Sequence, residues 1–256
     1  MSELLIDRVS ANLKRLRFTQ APEQLPDLLA EAEKEGLSPL SVLDRLLEVE
    51  VAGKEDRRLA SVLKLASLPF VKTVDEYDFT FHPDLDRTQI MGLFDLNFLD
   101  RQENVLFLGP PGVGKTHLAV ALAVKAAHAG HSIYFTTMAD LVGKLREDEA
   151  SGRSARARSH SKAALVVVDE VGYTPIDRKD CYLFFRFVSR RYEKASLVIT
   201  SNKAFGEWTE LFEDPVLVTA LLDRLLHHSV IVNMKGQSYR LKGKLPAGAG
   251  KLGSGN

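Results

Sequence analysis

Asn104-Val105-Leu106-Phe107-Leu108-Gly109-Pro110-Pro111-Gly112-Val113-Gly114-Lys115-Thr116 is the stretch that decides the fold. Its first five residues are a short apolar run. A turn rich in Gly and Pro follows, and a helical pattern then runs from Lys115 to His128. Gly109 to Thr116 fits the phosphate-binding loop in full, in the strand-then-helix context the pattern needs. Glycines let consecutive backbone N–H groups turn inward around a phosphate, and the helix start adds the positive end of its dipole. Lys115 supplies a mobile charge for β- and γ-phosphates, and the Thr116 hydroxyl is a hard oxygen ligand for Mg²⁺. Gly109, Pro110, Pro111, Gly112, Val113, Gly114, Lys115 and Thr116 are therefore candidate ATP-binding residues.

Outward from the loop, strand and helix alternate. Further strands are expected at 132–136, 165–168, 197–200 and 230–232, which implies a five-stranded parallel sheet covered by helices on both sides. Residues 165–168 are apolar throughout, as a strand buried on both faces should be. That strand ends in Asp169-Glu170. Asp169 is placed to hold Mg²⁺ and Glu170 to polarise an attacking water, a pairing that suits hydrolysis better than transfer to a hydroxyl. Ser196-Leu197-Val198-Ile199-Thr200-Ser201-Asn202 ends a later apolar strand with an amide. Asn202 there either contacts a γ-phosphate and the catalytic water or simply caps the strand.

Composition bounds the rest. The chain has 256 residues, 45% hydrophobic, with 34 basic and 34 acidic side chains, so disorder is excluded as the dominant state. Cys181 is the single cysteine, which excludes a disulfide scaffold. No apolar run reaches the length of a membrane span, and Glu3 stands where a secretory signal carries bases, so a cytoplasmic location is expected. Charge is segregated. Residues 1–56 hold twelve acids to seven bases, whereas 224–256 hold six bases and no acid.

The first seventy residues read as helices only. Leu25, Leu28 and Leu29 mark one, stopped by Gly36. Ser38-Pro39 opens a second, with Leu40, Leu43, Leu46 and Leu47 on its apolar face. A third carries Leu59, Val62, Leu63 and Leu65 and ends at Pro69. The division expected is a helical partner-binding domain at 1–68, an ATPase domain at 69–245 and a Gly-rich, disordered tail at 246–256.

With the loop, the acid pair and the strand-end Asn in this order, the chain resembles the AAA+ ATPases, their DnaC/DnaA-like clade, and within it the IstB-like helper ATPases of insertion sequences. The residues that carry the resemblance run from Glu103 to Ala119, from Asp169 to Tyr173, through Leu222-Asp223-Arg224-Leu225 and through Gly236-Gln237-Ser238-Tyr239-Arg240. Arg57 to Pro69 and Asp75-Glu76-Tyr77-Asp78-Phe79 look similar as well. The resemblance adds His117 to the ATP-binding set. It implies that Arg224 reaches the γ-phosphate of a neighbouring subunit, although a helix-surface arginine paired with an acid is the plainer reading. It also likens Arg240 to the sensor-2 arginine, although the chain past residue 233 is too short for the usual helical lid.

A DNA contact is expected from Arg153, Arg156, Arg158, His160 and Lys162, a run without an acid, with Lys144 added to it; a solvated loop is the alternative. Charge without aromatic residues suggests sequence-independent phosphate binding, and the resemblance favours duplex DNA. His227-His228 has no further ligand at metal spacing and reads as no zinc site. Cys181 reads as a packed thiol, and Trp208 with Phe212 as helix packing. The function expected is an ATP-dependent oligomer on DNA that recruits or stimulates a transposase. The alternative is a replicative helicase loader. A small-molecule kinase fits less well, since no acceptor site or arginine-rich lid is evident.

Overall fold

The computed structural model describes residues 2–151, 159–173, 175–212 and 214–241. The chain divides into two compact units, Met1–Ser61 and Val62–Asn256.

The first unit is helical: α1 (Ser2–Arg15), α2 (Ala21–Glu35) and most of α3 (Pro39–Leu65). Ala21, Leu25 and Leu46 form its core, with Ile6, Leu13, Phe18, Leu28 and Leu29 packed around them. Two short helices expected between residues 38 and 69 are one continuous helix. Residues 48–58 contain no proline, and the lone Gly53 costs only about 1 kcal/mol relative to alanine. Gly53 also has a packing reason, because a Cβ there would meet Gln20 Cγ at 2.5 Å. Of the apolar face expected on α3, Leu46 is buried, while Leu40, Leu43 and Leu47 are exposed, as is Val51.

Glu50 organises this unit. It is only 2% exposed, and its Oε2 accepts backbone N–H bonds from Thr19 (2.8 Å), Gln20 (2.8 Å) and Ala21 (3.1 Å) at the start of α2. α2 has no side-chain cap of its own, so a residue of α3 supplies the missing acceptor. Burial pushes the Glu50 carboxyl up, but the bonds from Ala21, Gln20 and Thr19 and the charge of Lys54 outweigh it and hold it below 4.5.

The second unit is built on five parallel strands: β1 (Asn104–Leu108), β2 (Ile133–Thr137), β3 (Leu165–Val171), β4 (Ser196–Ser201) and β5 (Ser229–Asn233). Their order is β2-β3-β4-β1-β5, which puts β1 between β4 and β5. Helices α4 (Arg87–Leu93) and α5 (Asn97–Asp100) precede β1, and α6 (Lys115–His128) follows it. α7 (Met138–Ala150) and the short α8 (Ser159–Lys162) lie between β2 and β3. α9 (Arg178–Arg191) joins β3 to β4, and α10 (Trp208–Leu211) and α11 (Pro215–Leu226) lead to β5.

On one face, Leu106, Val166, Val168, Leu197 and Ile199 pack with α7, α9 and α11 in a single core. The alternation of a strand turns Val105, Phe107, Val167 and Val198 to the other face. α6 runs along the sheet without joining that core, and it is buried nearly all round from Leu118 to Ala127. Trp208 and Phe212 are packed ring to ring at 5.7 Å, and Cys181 is fully buried. Asn104 ties the layers together: its amide donates to the Leu225 carbonyl (3.0 Å) and accepts from the Leu197 N–H (3.0 Å).

Because the Glu50 pKa is depressed by folding, its stabilisation is complete above the ordinary value of 4.5 and is lost as the pH falls below it. Glu50→Gln should lower the thermal stability of the helical unit at neutral pH and flatten its acid sensitivity in that window. Far-UV circular dichroism of the full chain against pH checks this. An unchanged acid midpoint would remove Glu50 from the role.

Candidate functional site

The phosphate loop spans β1 to α6 at the carboxyl end of the sheet. α7, α9 and α11 each begin with a side-chain cap, from Thr137, Asp177 and Asp214. α6 begins with Gly114 at φ +93° and no side-chain cap, so its first N–H groups face the loop. Gly112 (φ +84°) and Gly114 are both required. A Cβ on Gly112 would strike the Ser238 hydroxyl, and one on Gly114 would lie 2.6 Å from the Tyr77 ring.

Two remote segments therefore clamp the loop. Tyr77 donates its hydroxyl to the Val113 carbonyl (3.0 Å), and the Tyr239 N–H donates to the Gly112 carbonyl (2.9 Å). Burial, then the nearby Asp78, pushes the Tyr77 hydroxyl up to about 12, so it stays a donor across the neutral range.

Loop, clamps and strand ends enclose a cavity of about 590 Å³. Pro111 to His117, Glu170, Asn202 and Arg240 all line it. Lys115 bonds the carbonyls of Gly109 (2.6 Å) and Pro110 (2.8 Å). Burial lowers the pKa of its ammonium, Asp169 raises it and Arg240 lowers it, which places Arg240 within electrostatic reach of the loop. His117 Nε2 pairs with the Thr73 carbonyl at 2.9 Å.

The Thr116 hydroxyl donates to Asp169 at 3.0 and 3.1 Å, and Asp169 is 5% exposed. Thr116 and Asp169 thus form a hard-oxygen pair of the kind Mg²⁺ takes. Glu170 is exposed, at φ +62°, a conformation costing about 1–2 kcal/mol, with its N–H tied to the Thr200 hydroxyl (3.1 Å). The carbonyl oxygen of the Asn202 side chain is buried without a hydrogen-bond partner.

Several of these residues carried no site signal in the sequence. Thr200 bonds both Asp169 and the Glu170 N–H. His82 is buried and lines the cavity; its pKa is lowered by burial and partly restored by Asp78 and the Lys235 backbone. Thr200 looks like any β-branched strand residue. The clamp segments around Tyr77 and Ser238 stood out only through the family resemblance.

Other expected residues lie elsewhere. Arg224 does not line the cavity. It is on α11, stacked on the Phe185 ring at 4.4 Å and bonded to the Ser189 hydroxyl. Lys144 is half-buried, with its ammonium 2.6 Å from the Tyr134 hydroxyl. Lys162 is exposed, and Arg153, Arg156 and Arg158 lie outside the described residues, as does the tail from 246. His160, expected within the basic run, is instead a core residue. It is 3% exposed, between Tyr134 and Phe187, and pairs with the buried Asp148 at 3.4 Å.

Sheet order, loop and acid-bearing strand end together define a P-loop domain of the AAA+ class. AMPPCP-bound DnaA from Aquifex aeolicus shares the fold, with a TM-score of 0.55 at 18% identity over 69% of this chain and 54% of that one. So does DnaI, at 0.54 and 16%, over 64% and 90%. The chain belongs to the family described as IstB-like ATP binding protein, which matches residues 11–247. It is 47% identical over 237 residues to a protein of insertion sequence IS21 from Pseudomonas aeruginosa, named as ATP-binding, covering 92% of this chain and 89% of that one. A counterpart from insertion sequence IS5376 of Geobacillus stearothermophilus is 43% identical over 239 residues, covering 93% and 95%.

Thr200→Val removes the hydroxyl without changing the shape. It should cost about 1–3 kcal/mol, because the Glu170 N–H and a buried Asp169 oxygen each lose a partner. Urea unfolding measures this, and Thr200→Ser should stay near the parent. A loss of only a few tenths would show that the hydroxyl is dispensable.

Proposed function

We propose that this chain is an ATP-binding, Mg²⁺-dependent ATPase that assembles on DNA and recruits or stimulates the transposase of its insertion sequence. The observation that carries the reading is the convergence of Lys115, Thr116, Glu170 and Asn202 on one cavity, with Asp169 hydrogen-bonded to Thr116 behind it, in a chain of the IstB-like family. Ser238 and Tyr77 leave no room for a side chain at Gly112 or Gly114, which suits a loop whose bare backbone wraps a phosphate. Mg²⁺ held by Thr116 and Asp169 would supply charge neutralisation at the phosphate oxygens.

Within that site each side chain has a distinct task. Lys115 exchanges its loop carbonyls for phosphate oxygens, a gain for a partly buried ammonium. Glu170, exposed in the wall of the cavity, accepts a proton from the attacking water, and Asn202 orients that water with its amide. Arg240 adds positive charge from the clamp side. Arg224 sits outside its own cavity, in keeping with delivery to a neighbouring subunit's γ-phosphate, which would make turnover depend on assembly.

Residues 1–68 are then the partner-binding part. Leu40, Leu43, Leu47 and Val51 are exposed along α3 at helical spacing, amid an excess of acids, which suits a transposase surface that is apolar with a basic rim. DNA contact falls to the basic run 153–162 by its charge. Among the described residues no helix is long and apolar enough to cross a membrane.

Lys115→Ala should abolish or severely weaken ATP binding, measured by calorimetry; normal affinity would sink the loop assignment. Glu170→Gln should bind ATP normally, fail to hydrolyse it and persist as a large species on duplex DNA in light scattering. Hydrolysis at the parental rate would show that Glu170 does not act on the water. A chain that stays monomeric with ATP and duplex would overturn the assembly reading and favour an adaptor that needs its own partner.

A further inference from the structure

We infer that Glu193, His227 and His228 form a binding site for a borderline transition-metal ion, Zn²⁺ in the first place. His227-His228 lacks a third ligand in the sequence, but the fold supplies one. Glu193 stands just past the end of α9 at φ +55°, and the two histidines stand just past the end of α11. One ligand atom from each of the three lies within 4.8 Å of the others. His228 Nε2 is already 3.5 Å from Glu193 Oε1. Two ligands each about 2.0–2.1 Å from a tetrahedral Zn²⁺ stand at about that separation, so this edge of the site is formed.

Three features around the cluster favour a cation. The Tyr192 hydroxyl lies 2.6 Å from His227 Nδ1. A hydrogen bond from one ring nitrogen to an outer partner fixes the ring and leaves the other nitrogen's lone pair free, the usual support for a metal-binding histidine. The histidines follow the carboxyl end of α11, where the helix dipole is negative. All three ligands are exposed, which leaves an entry path and a fourth position for water or a partner's side chain.

Two imidazoles and one carboxylate select against Mg²⁺ and Ca²⁺, which take oxygen ligands, and suit Zn²⁺. Bound there, the ion would bridge the ends of α9 and α11, the two helices that also hold Arg224 in place. Nothing in this depends on the nucleotide reading.

The test uses the full chain without a histidine tag, titrated with Co²⁺ followed by visible absorption and then displaced by Zn²⁺. One ion per chain with a tetrahedral Co²⁺ spectrum is expected. His228→Ala and Glu193→Gln should each weaken binding at least about tenfold. Excess Mg²⁺ should not compete. Zn²⁺ should raise the unfolding temperature of the parent but not of His228→Ala. His228 and Glu193 are exposed, so His228→Ala and Glu193→Gln should keep the parental circular dichroism. Either the absence of a Co²⁺ spectrum or binding that survives His228→Ala and Glu193→Gln would overturn the site.

Discussion

One buried carboxylate holds the working end of the second unit together. Asp169 ends the buried part of β3 and accepts hydrogen bonds from Thr116, at the start of α6, and from Thr200, near the end of β4. Burying an acid is costly unless donors surround it. Here the donors come from two other chain segments, so the carboxylate is satisfied when the start of α6 and the end of β4 both lie beside the end of β3. β4 sits between β1 and β3, with Thr200 beside Phe107 and Ile199 beside Val168. The sheet order is thus a condition for the site, and the site is a reason for that order.

The second unit was largely legible in the sequence because its signals are local. A strand that must be buried on both faces has to be apolar, and a loop that must approach a phosphate has to be glycine-rich. Both constraints write themselves into consecutive residues. Thr200 and the clamp of Tyr77 and Ser238 were not legible, since a hydroxyl at a strand end or a tyrosine in a linker means nothing until tertiary structure supplies its partner. The same holds for Glu193, which the fold brings beside His227 and His228 from a different helix end.

The first unit was misread for a related reason. Helical periodicity shows that a leucine stripe exists but not that anything covers it. Leu40, Leu43 and Leu47 have the spacing of a core face, and only Leu46 is buried. The break expected within 38–69 rested on two separate leucine patterns, yet the polar residues between them are good helix formers and offer no stop. Beside the small core of Ala21, Leu25 and Leu46, the start of α2 is tied to α3 by Glu50, an acid in a stretch that reads as a solvated helix face. A charged residue that caps another helix is invisible to pattern, because its partners are backbone groups about thirty residues away.

The clamp bears on how such a site can be regulated. The loop takes one hydrogen bond from Tyr77, before the first strand, and another from Tyr239, after the last, while Arg240 adds charge beside Lys115. Among the described residues, the cavity is thus lined by both flanks of the sheet domain. Any force that shifts either flank changes the loop geometry directly, since glycines at positive φ have no side chains to buffer the movement. The flank carrying Tyr77 follows α3, and the flank carrying Arg240 leads into the basic, acid-free end of the chain.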